Sequence, residues 1–285
     1  MKKIILLFTG LIFVYACTTV PITGRKQLNM IPAQEMLSLS SQQYGEFLKE
    51  HKLSDDKESA EMVKRVGKRI QSAVTHFLVQ QNRADLLEGY NWEFNLVEDK
   101  QANAWCMPGG KVVVYTGILP ITKDETGLAV VMGHEIAHAI AEHGSERMSQ
   151  ELVRQLGGVA LDVALNDKPE ETRALWLTAY GLGSEVGVML PYSRMHESEA
   201  DHLGLIFMAM AGYDPSYAPE FWERMKSLNN TPKPPEFLST HPSDETRIAN
   251  LKKWLPEAMR YYNKAEKDGN GGNNSTGSTG KTIGL

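Results

Sequence analysis

The five residues His134-Glu135-Ile136-Ala137-His138 constrain this chain more than any other feature of its sequence. On an α-helix, positions four apart lie one turn above each other, so the two imidazoles can be directed at a single ion. Glu135 then lies on the flank of that face, where it can take a proton from a water attacking a carbonyl. Val130, Val131, Met132 and Ile136 make the helix apolar on several sides, so its polar residues are partly buried and need partners. A metal ion is such a partner. Five residues alone also occur on solvated helix faces of non-enzymes, so the motif needs support from elsewhere in the chain. His143 lies five residues beyond His138, off the ligand face, and reads as a surface residue or as one standing behind the ligands.

A catalytic zinc takes three protein ligands and keeps a position for water, so one zinc per chain requires a third ligand. Glu197 is the leading candidate, in Glu197-Ser198-Glu199-Ala200-Asp201. Glu197 and Asp201 share a helical face, and Asp201 can bond the far nitrogen of a ligand histidine, fixing its tautomer and raising its basicity. Glu199 is the competing candidate and points to the other side of that helix. An acidic helix face is ordinarily just solvated; the upstream H-E-x-x-H sets this one apart.

Apolar spacings of three and four predict helices over 34–49 and 57–79, the second through Met62, Val66, Ile70 and Val74. Around Tyr90 the period falls to two, with Trp92, Phe94 and Leu96 alternating against Glu93 and Asn95. Lys111 to Tyr115 forms a second extended run after Pro108-Gly109-Gly110. On its pattern alone the stretch 103–115 reads as an ordinary hairpin of the core sheet. Thr122-Lys123-Asp124-Glu125 reads as a capping box opening the motif helix, which ends near Gly144. Further helices are expected over 147–165 and 194–212, the latter after a break at Pro191 with Ser193 as N-cap. The largely apolar 170–190 is expected to pack in the core or to cover the site, with lipid or partner contact as the alternative. The fold class is therefore α+β, mostly helical, with a small sheet.

The termini are of another kind. Lys2 and Lys3 precede an apolar run from Ile4 to Val14, the pattern of an export signal and too short to span a bilayer comfortably. It ends in Val14-Tyr15-Ala16-Cys17, similar to the lipobox of bacterial lipoproteins, with Tyr15 where a small residue is usual. Cys17 is expected to be acylated, which tethers a chain to a membrane surface without spanning it; secretion with a free cysteine is the alternative. Residues 1–16 are read as a signal peptide, 17–32 as a lipid-anchored tether, 33–267 as one domain, and the Gly-, Asn-, Ser- and Thr-rich 268–285 as a disordered tail. Cys106 then has no partner and reads as a small buried hydrophobe. The formal net charge of -5 becomes about -7 without Lys2 and Lys3, and the scattered basic residues argue against nucleic acid as a partner. Thr18 in place of an aspartate after Cys17 points to the periplasmic side of the outer membrane in a two-membrane cell.

With these residues in place, the chain resembles the gluzincin metallopeptidases, which join H-E-x-x-H to a downstream E-x-x-x-D. It is more closely similar to family 48 of the metallopeptidases, the HtpX and CAAX prenyl endopeptidase family, especially its soluble periplasmic lipoprotein members. Thr23-Gly24-Arg25-Lys26-Gln27-Leu28, Asn103-Ala104 with Pro108-Gly109-Gly110, and Ser193-Arg194 ahead of Glu197 carry the resemblance beyond the two motif helices. It covers most of the chain after Cys17. Unlike the membrane-embedded members, the chain shows no hydrophobic span of transmembrane length. The resemblance implies a zincin-like fold, with His134, His138 and Glu197 as zinc ligands and Glu135 as general base. It implies a zinc metalloendopeptidase acting on unfolded or misassembled cell-envelope proteins, and it gives 103–115 a second reading beside the core hairpin, as an exposed edge strand that holds an extended peptide by main-chain hydrogen bonds. His241-Pro242 with Arg247 matches a segment the family places near the active site. His241 is expected either to stabilise the oxyanion, with Arg247 assisting, or to bind zinc in a latent state; a loop histidine that does neither is the plain alternative. The rival from another class is an envelope chaperone or assembly factor whose zinc site is latent and gated by His241.

Overall fold

A helix that is apolar on every side has to be surrounded, and the fold is arranged around the one that carries the motif. The computed structural model describes residues 17–267 except 21, 22, 229, 230, 232 and 233; the export segment 1–16 and the tail 268–285 lie outside the described residues. In chain order the elements are β1 (Cys17–Thr19), β2 (Lys26–Leu28), α1 (Ala33–Glu50), α2 (Lys57–Gln80), β3 (Glu93–Val97), β4 (Ala104–Met107) and β5 (Lys111–Tyr115). They continue with the short α3 (Leu119–Thr122), α4 (Glu125–Ile140), α5 (His143–Ala164), α6 (Glu170–Ser184), α7 (Leu190–Met210), α8 (Tyr217–Leu228), the short α9 (Phe237–Thr240) and α10 (Glu245–Lys267). This is the expected α+β, mostly helical architecture with little sheet.

Helix α4 is buried along nearly its whole length and packs against α7, β4, α2 and α8. Val63, Val66, Ile70, Val74 and Phe77 of α2 supply one wall of the core through their three- and four-residue spacing. The extended runs form a three-stranded sheet in the order β3-β5-β4, with β3 parallel and β4 antiparallel to β5. The connection between the two runs read from sequence thus contains a third strand of its own. Gly109 (φ 84°) and Gly110 (φ 79°) make the β4–β5 turn, a left-handed backbone that a side chain would strain. Central β5 is wholly buried, whereas β4 lies on the outside of the sheet next to α4.

Several local expectations are displaced. The capping box gives way to Asp124, whose side chain accepts from the Gly127 N–H; Lys123 at φ 70° separates Thr122 from the helix. The motif helix stops at Ile140 rather than Gly144, because Glu142 adopts φ 56° and α5 starts afresh at His143. Ser193 is not an N-cap. Pro191 falls in the first turn of α7, which continues from a π-helical segment, Glu185–Met189, at the end of α6. The segment 170–190 does not pack in the core: none of α6 is buried, and Leu175, Trp176 and Leu182 are exposed, as are Leu156, Val159 and Val163 of the neighbouring α5.

The described residues of the segment 17–32, expected as a tether, form a docked ribbon. β1 pairs antiparallel with β2, Val20 enters the core, the Met30 N–H donates to Ser149 Oγ (2.9 Å), and Asn29 Nδ2 donates to Glu142 (2.8 Å). No helix among the described residues is long and apolar enough to cross a membrane.

Candidate active site

Helices α4 and α7 cross backbone to backbone. A Cβ on Gly204 would stand 2.9 Å from the His134 nitrogen and the Gly133 carbonyl carbon, so only glycine lets the two helices approach this closely. The crossing brings Glu197 beneath the motif. Its carboxylate oxygens lie 3.3 Å from His134 Nε2 and 3.3 Å from His138 Nε2, and the two Nε2 atoms are 3.1 Å apart. His241, which follows α9, completes the group: its Nδ1 is 3.1 Å from His134 Nε2 and 3.0 Å from Glu197 Oε2. A tetrahedral ion bound at roughly 2.0–2.1 Å separates its ligand atoms by about 3.3 Å. The ligand atoms of His134, His138, Glu197 and His241 all lie within 4.8 Å of one another, and three imidazoles with one carboxylate suit zinc. The residues fit a metal ion.

Behind His134 stands Asp201, one turn along α7 from Glu197, with Oδ1 3.0 Å from His134 Nδ1. Arg247 of α10 clamps that carboxylate through Nε (2.7 Å) and Nη2 (2.8 Å), and its Nη1 reaches Glu197 Oε2 at 3.2 Å. The guanidinium lies over the Trp222 ring, 3.3 Å from its centroid. Arg247, expected to assist an oxyanion, is turned toward Asp201 and Glu197, with its Nη2 3.2 Å from His134 Nε2.

Glu135 is buried, and its Oε1 makes no hydrogen bond, although His241 Nε2 lies within ion-pair distance at 3.4 Å. The cleft in front of these groups, about 370 Å³, is lined by β4 (Ala104, Trp105, Cys106), by Asn103, and by His138, Glu197 and His241. Among the described residues the outer edge of β4 pairs with no strand, which matches the edge-strand reading of 103–115 more closely than the core hairpin. Cys106 is half-buried in this lining; burial raises its thiol pKa well above the usual value, and a protonated thiol is a poor nucleophile.

Burial also raises Glu135, against the pull of His241 and His134, as suits a base that must hold a proton briefly. Burial opposes ionisation of Glu197, but His138, His134 and His241 around it hold its carboxyl far below the carboxylate range. Burial drives His138 well below 6.5, so its ring is neutral and free to coordinate. Burial and Arg247 press His134 down, yet its bonds to Asp201 and Glu197 prevail and lift it to about 9. A metal ion must displace that proton, so binding weakens as pH falls.

Of the two readings of His143, the structure bears out the one that stands it behind the ligands, whereas the rest of the network on the far side of His138 escaped sequence reasoning. His143 is buried, and its Nδ1 lies 2.8 Å from His138 Nδ1; Glu199, considered as a ligand, is instead 3.2 Å from His143 Nε2. His196 and Glu146 join the same cluster at 2.8 Å. The only signal was Arg25, inside the Thr23-to-Leu28 stretch, which reaches both Glu199 and Glu146.

A buried H-E-x-x-H helix crossed by a second helix that offers a glutamate to the same point defines a zincin-like metallopeptidase domain. The model of peptidase family M48 matches residues 64–255, and the chain belongs to that family. It is 34% identical over 244 residues to the mitochondrial metalloendopeptidase OMA1 of Schizosaccharomyces pombe, covering 84% of this chain and 67% of the relative. The Homo sapiens mitochondrial metalloendopeptidase OMA1 is 31% identical over 249 residues, covering 84% of this chain and 46% of the relative. The beta-barrel assembly-enhancing protease of Escherichia coli is 31% identical over 169 residues, covering 56% of this chain and 34% of the relative. The chain therefore spans between a third and two thirds of the length of these relatives.

Proposed function

We propose that this chain is a zinc-dependent metalloendopeptidase that cleaves unfolded or misassembled proteins of the cell envelope. The observation that carries the reading is the convergence of His134, His138 and Glu197 beside the unbonded Oε1 of Glu135. A zinc ion, when bound, lowers the pKa of its water to about 7 and polarises a carbonyl. His134, His138 and Glu197 would hold it. Asp201 keeps the proton of His134 on Nδ1, leaving Nε2 for the metal. Glu135 takes the proton of the attacking water at Oε1 and returns it to the leaving amine. The free edge of β4 holds the substrate as an extended strand, through main-chain bonds that demand little of its side chains and require it to be unfolded.

The relatives' names support proteolysis, and the bacterial one, a beta-barrel assembly-enhancing protease, supports an envelope role. Attachment through an acylated Cys17 to the periplasmic side of the outer membrane rests on the lipobox-like Val14-Tyr15-Ala16-Cys17. Purified chain is expected to carry one zinc by elemental analysis and to cleave a denatured substrate while sparing its folded form. A chain with no zinc, or a Glu135→Gln variant that cleaves normally, sinks the mechanism. Radiolabelled palmitate is expected on the wild type and not on Cys17→Ser.

One observation favours a latent form. His241 Nδ1 sits within the donor set, so four side chains close the position that catalytic zinc keeps for water. In the reading as an assembly factor, His241 holds the metal silent. His241→Ala separates the alternatives: faster proteolysis marks a gate, slower proteolysis an assistant to the oxyanion, and no proteolysis in either protein favours the binding role.

A further inference from the structure

A partly buried chain of hydrogen bonds runs from His138 to the N-terminal ribbon, and proteolysis at the metal uses none of its outer members. His138 Nδ1 faces His143 Nδ1 at 2.8 Å, and His143 Nε2 faces Glu199 Oε2 at 3.2 Å. Glu199 in turn accepts from Thr23 Oγ1 (2.6 Å) at one oxygen and from Arg25 Nε (2.9 Å) at the other. The terminal nitrogens of Arg25 clamp Glu146 at 2.9 and 2.7 Å, so the guanidinium is anchored on both sides.

The protons in this chain have one consistent placement. A histidine that binds metal through Nε2 carries its proton on Nδ1. His138 then donates to His143 Nδ1, which must be bare, and His143 carries its own proton on Nε2 and donates it to Glu199. The reverse placement puts the His138 proton on Nε2, the atom that faces the metal, and turns a bare His143 nitrogen toward a carboxylate. Glu199 therefore selects the tautomer of His143, and His143 selects that of His138. Asp201 does the same for His134 directly; for His138 the carboxylate stands one ring further out.

We propose that Arg25 and Thr23 are positioning residues of the metal site, acting through Glu199 and His143 to hold His138 in its metal-binding tautomer and orientation. The ribbon between Cys17 and Met30 is then a working part of the site. Lifting it off α5 withdraws both donors from Glu199 and loosens the metal. This rests on the metalloendopeptidase reading of the site.

The test is zinc affinity of the full chain, measured by competition with a chromophoric chelator. Circular dichroism monitors folding, and the visible spectrum of the Co²⁺-loaded protein reports ligand geometry. His143→Ala is expected to weaken zinc by about 10–100-fold, the usual effect of removing a partner behind a ligand. Arg25→Ala is expected to weaken it by about tenfold and Thr23→Val by about threefold, both with altered Co²⁺ bands. In a His143→Ala background neither change has a further effect, because the relay is already cut. The proposal is overturned if Thr23→Val and Arg25→Ala bind zinc as the wild type does, or if they weaken it equally in both backgrounds. Should Arg25→Ala fail to fold, Thr23→Val, which removes one hydroxyl, decides between these outcomes alone. A wild type that takes up no zinc, or a His134→Ala variant that binds it unchanged, refutes the underlying reading; tight wild-type binding insensitive to the ribbon refutes only this inference.

Discussion

Glu135 combines burial with a carboxylate oxygen that makes no hydrogen bond, while the three residues around the metal position are fully engaged with one another. Its loss should therefore be chemical and not structural. Glu135→Gln keeps the side-chain shape and is expected to retain one zinc per chain by elemental analysis, with kcat on a denatured protein lowered by about 10²–10⁴-fold. Asp201→Asn is a different case. The amide can still accept from His134 Nδ1, but its nitrogen then opposes Arg247, leaving a buried guanidinium short of its bidentate partner. Zinc affinity is expected to fall by about 10–100-fold, and thermal unfolding to show a loss of about 3 kcal/mol. A variant with unchanged affinity would mean that Asp201 does not orient His134.

At the scale of the elements, the site depends on how closely α4 and α7 cross. Gly204→Ala places a methyl against the Gly133 carbonyl carbon and the His134 nitrogen, both backbone and unable to yield. It is expected to destabilise the fold by about 1–3 kcal/mol in urea unfolding and to weaken zinc, because α7 carries Glu197 and must move away. Gly183→Ala, in α6, meets nothing within 4 Å and should be neutral or stabilising by up to about 1 kcal/mol, from helix propensity alone. The α5–α6 pair differs from the rest of the fold in exposing Leu156, Val159, Val163, Leu175, Trp176 and Leu182. Leu156→Ser is accordingly expected to shift stability by no more than about 0.5 kcal/mol; a larger loss in the same urea measurement would place that helix face in the core.

Across the whole molecule, the ribbon, α5 and α7 are joined by Arg25, Glu146, Glu199 and His196, with the glutamates buried. Burial opposes the charge on Glu146, but its bonds to His196 and Arg25 hold it at about 2. A carboxyl depressed in the folded state contributes stability above its unfolded value of about 4.3 and loses it as pH falls toward 2. Melting temperature measured from pH 5 to 2 is therefore expected to fall, with a share from Glu146 on the order of 2 kcal/mol, and the fall should be shallower in Glu146→Gln. Metal removal acts on the same scale. An ion present at 1,000 times its dissociation constant stabilises the folded chain by about 4 kcal/mol, so chelation should lower the melting temperature of the wild type and leave His138→Ala unmoved.

What the sequence determined is what lies within a helical turn or a strand. The spacing of His134 and His138, of Glu197 and Asp201, and of the apolar residues of α2 follows from 3.6 residues per turn, and the alternation at Trp92 to Leu96 from the pleat. Each can be read locally because backbone geometry alone produces it. The capping box was misplaced because Lys123 takes a left-handed conformation that no residue pattern announced. The tertiary structure decided the rest. The left-handed Glu142 ends α4 and lets α5 restart, so that His143, on the wrong face of a continuous helix, returns to His138. Gly133 and Gly204 let Glu197 reach the histidines, His241 joins them from beyond α9, and Arg25 meets Glu199 across 174 residues of chain. Contacts of that kind depend on the packing of every intervening element, whereas a helical spacing depends only on the turn that contains it.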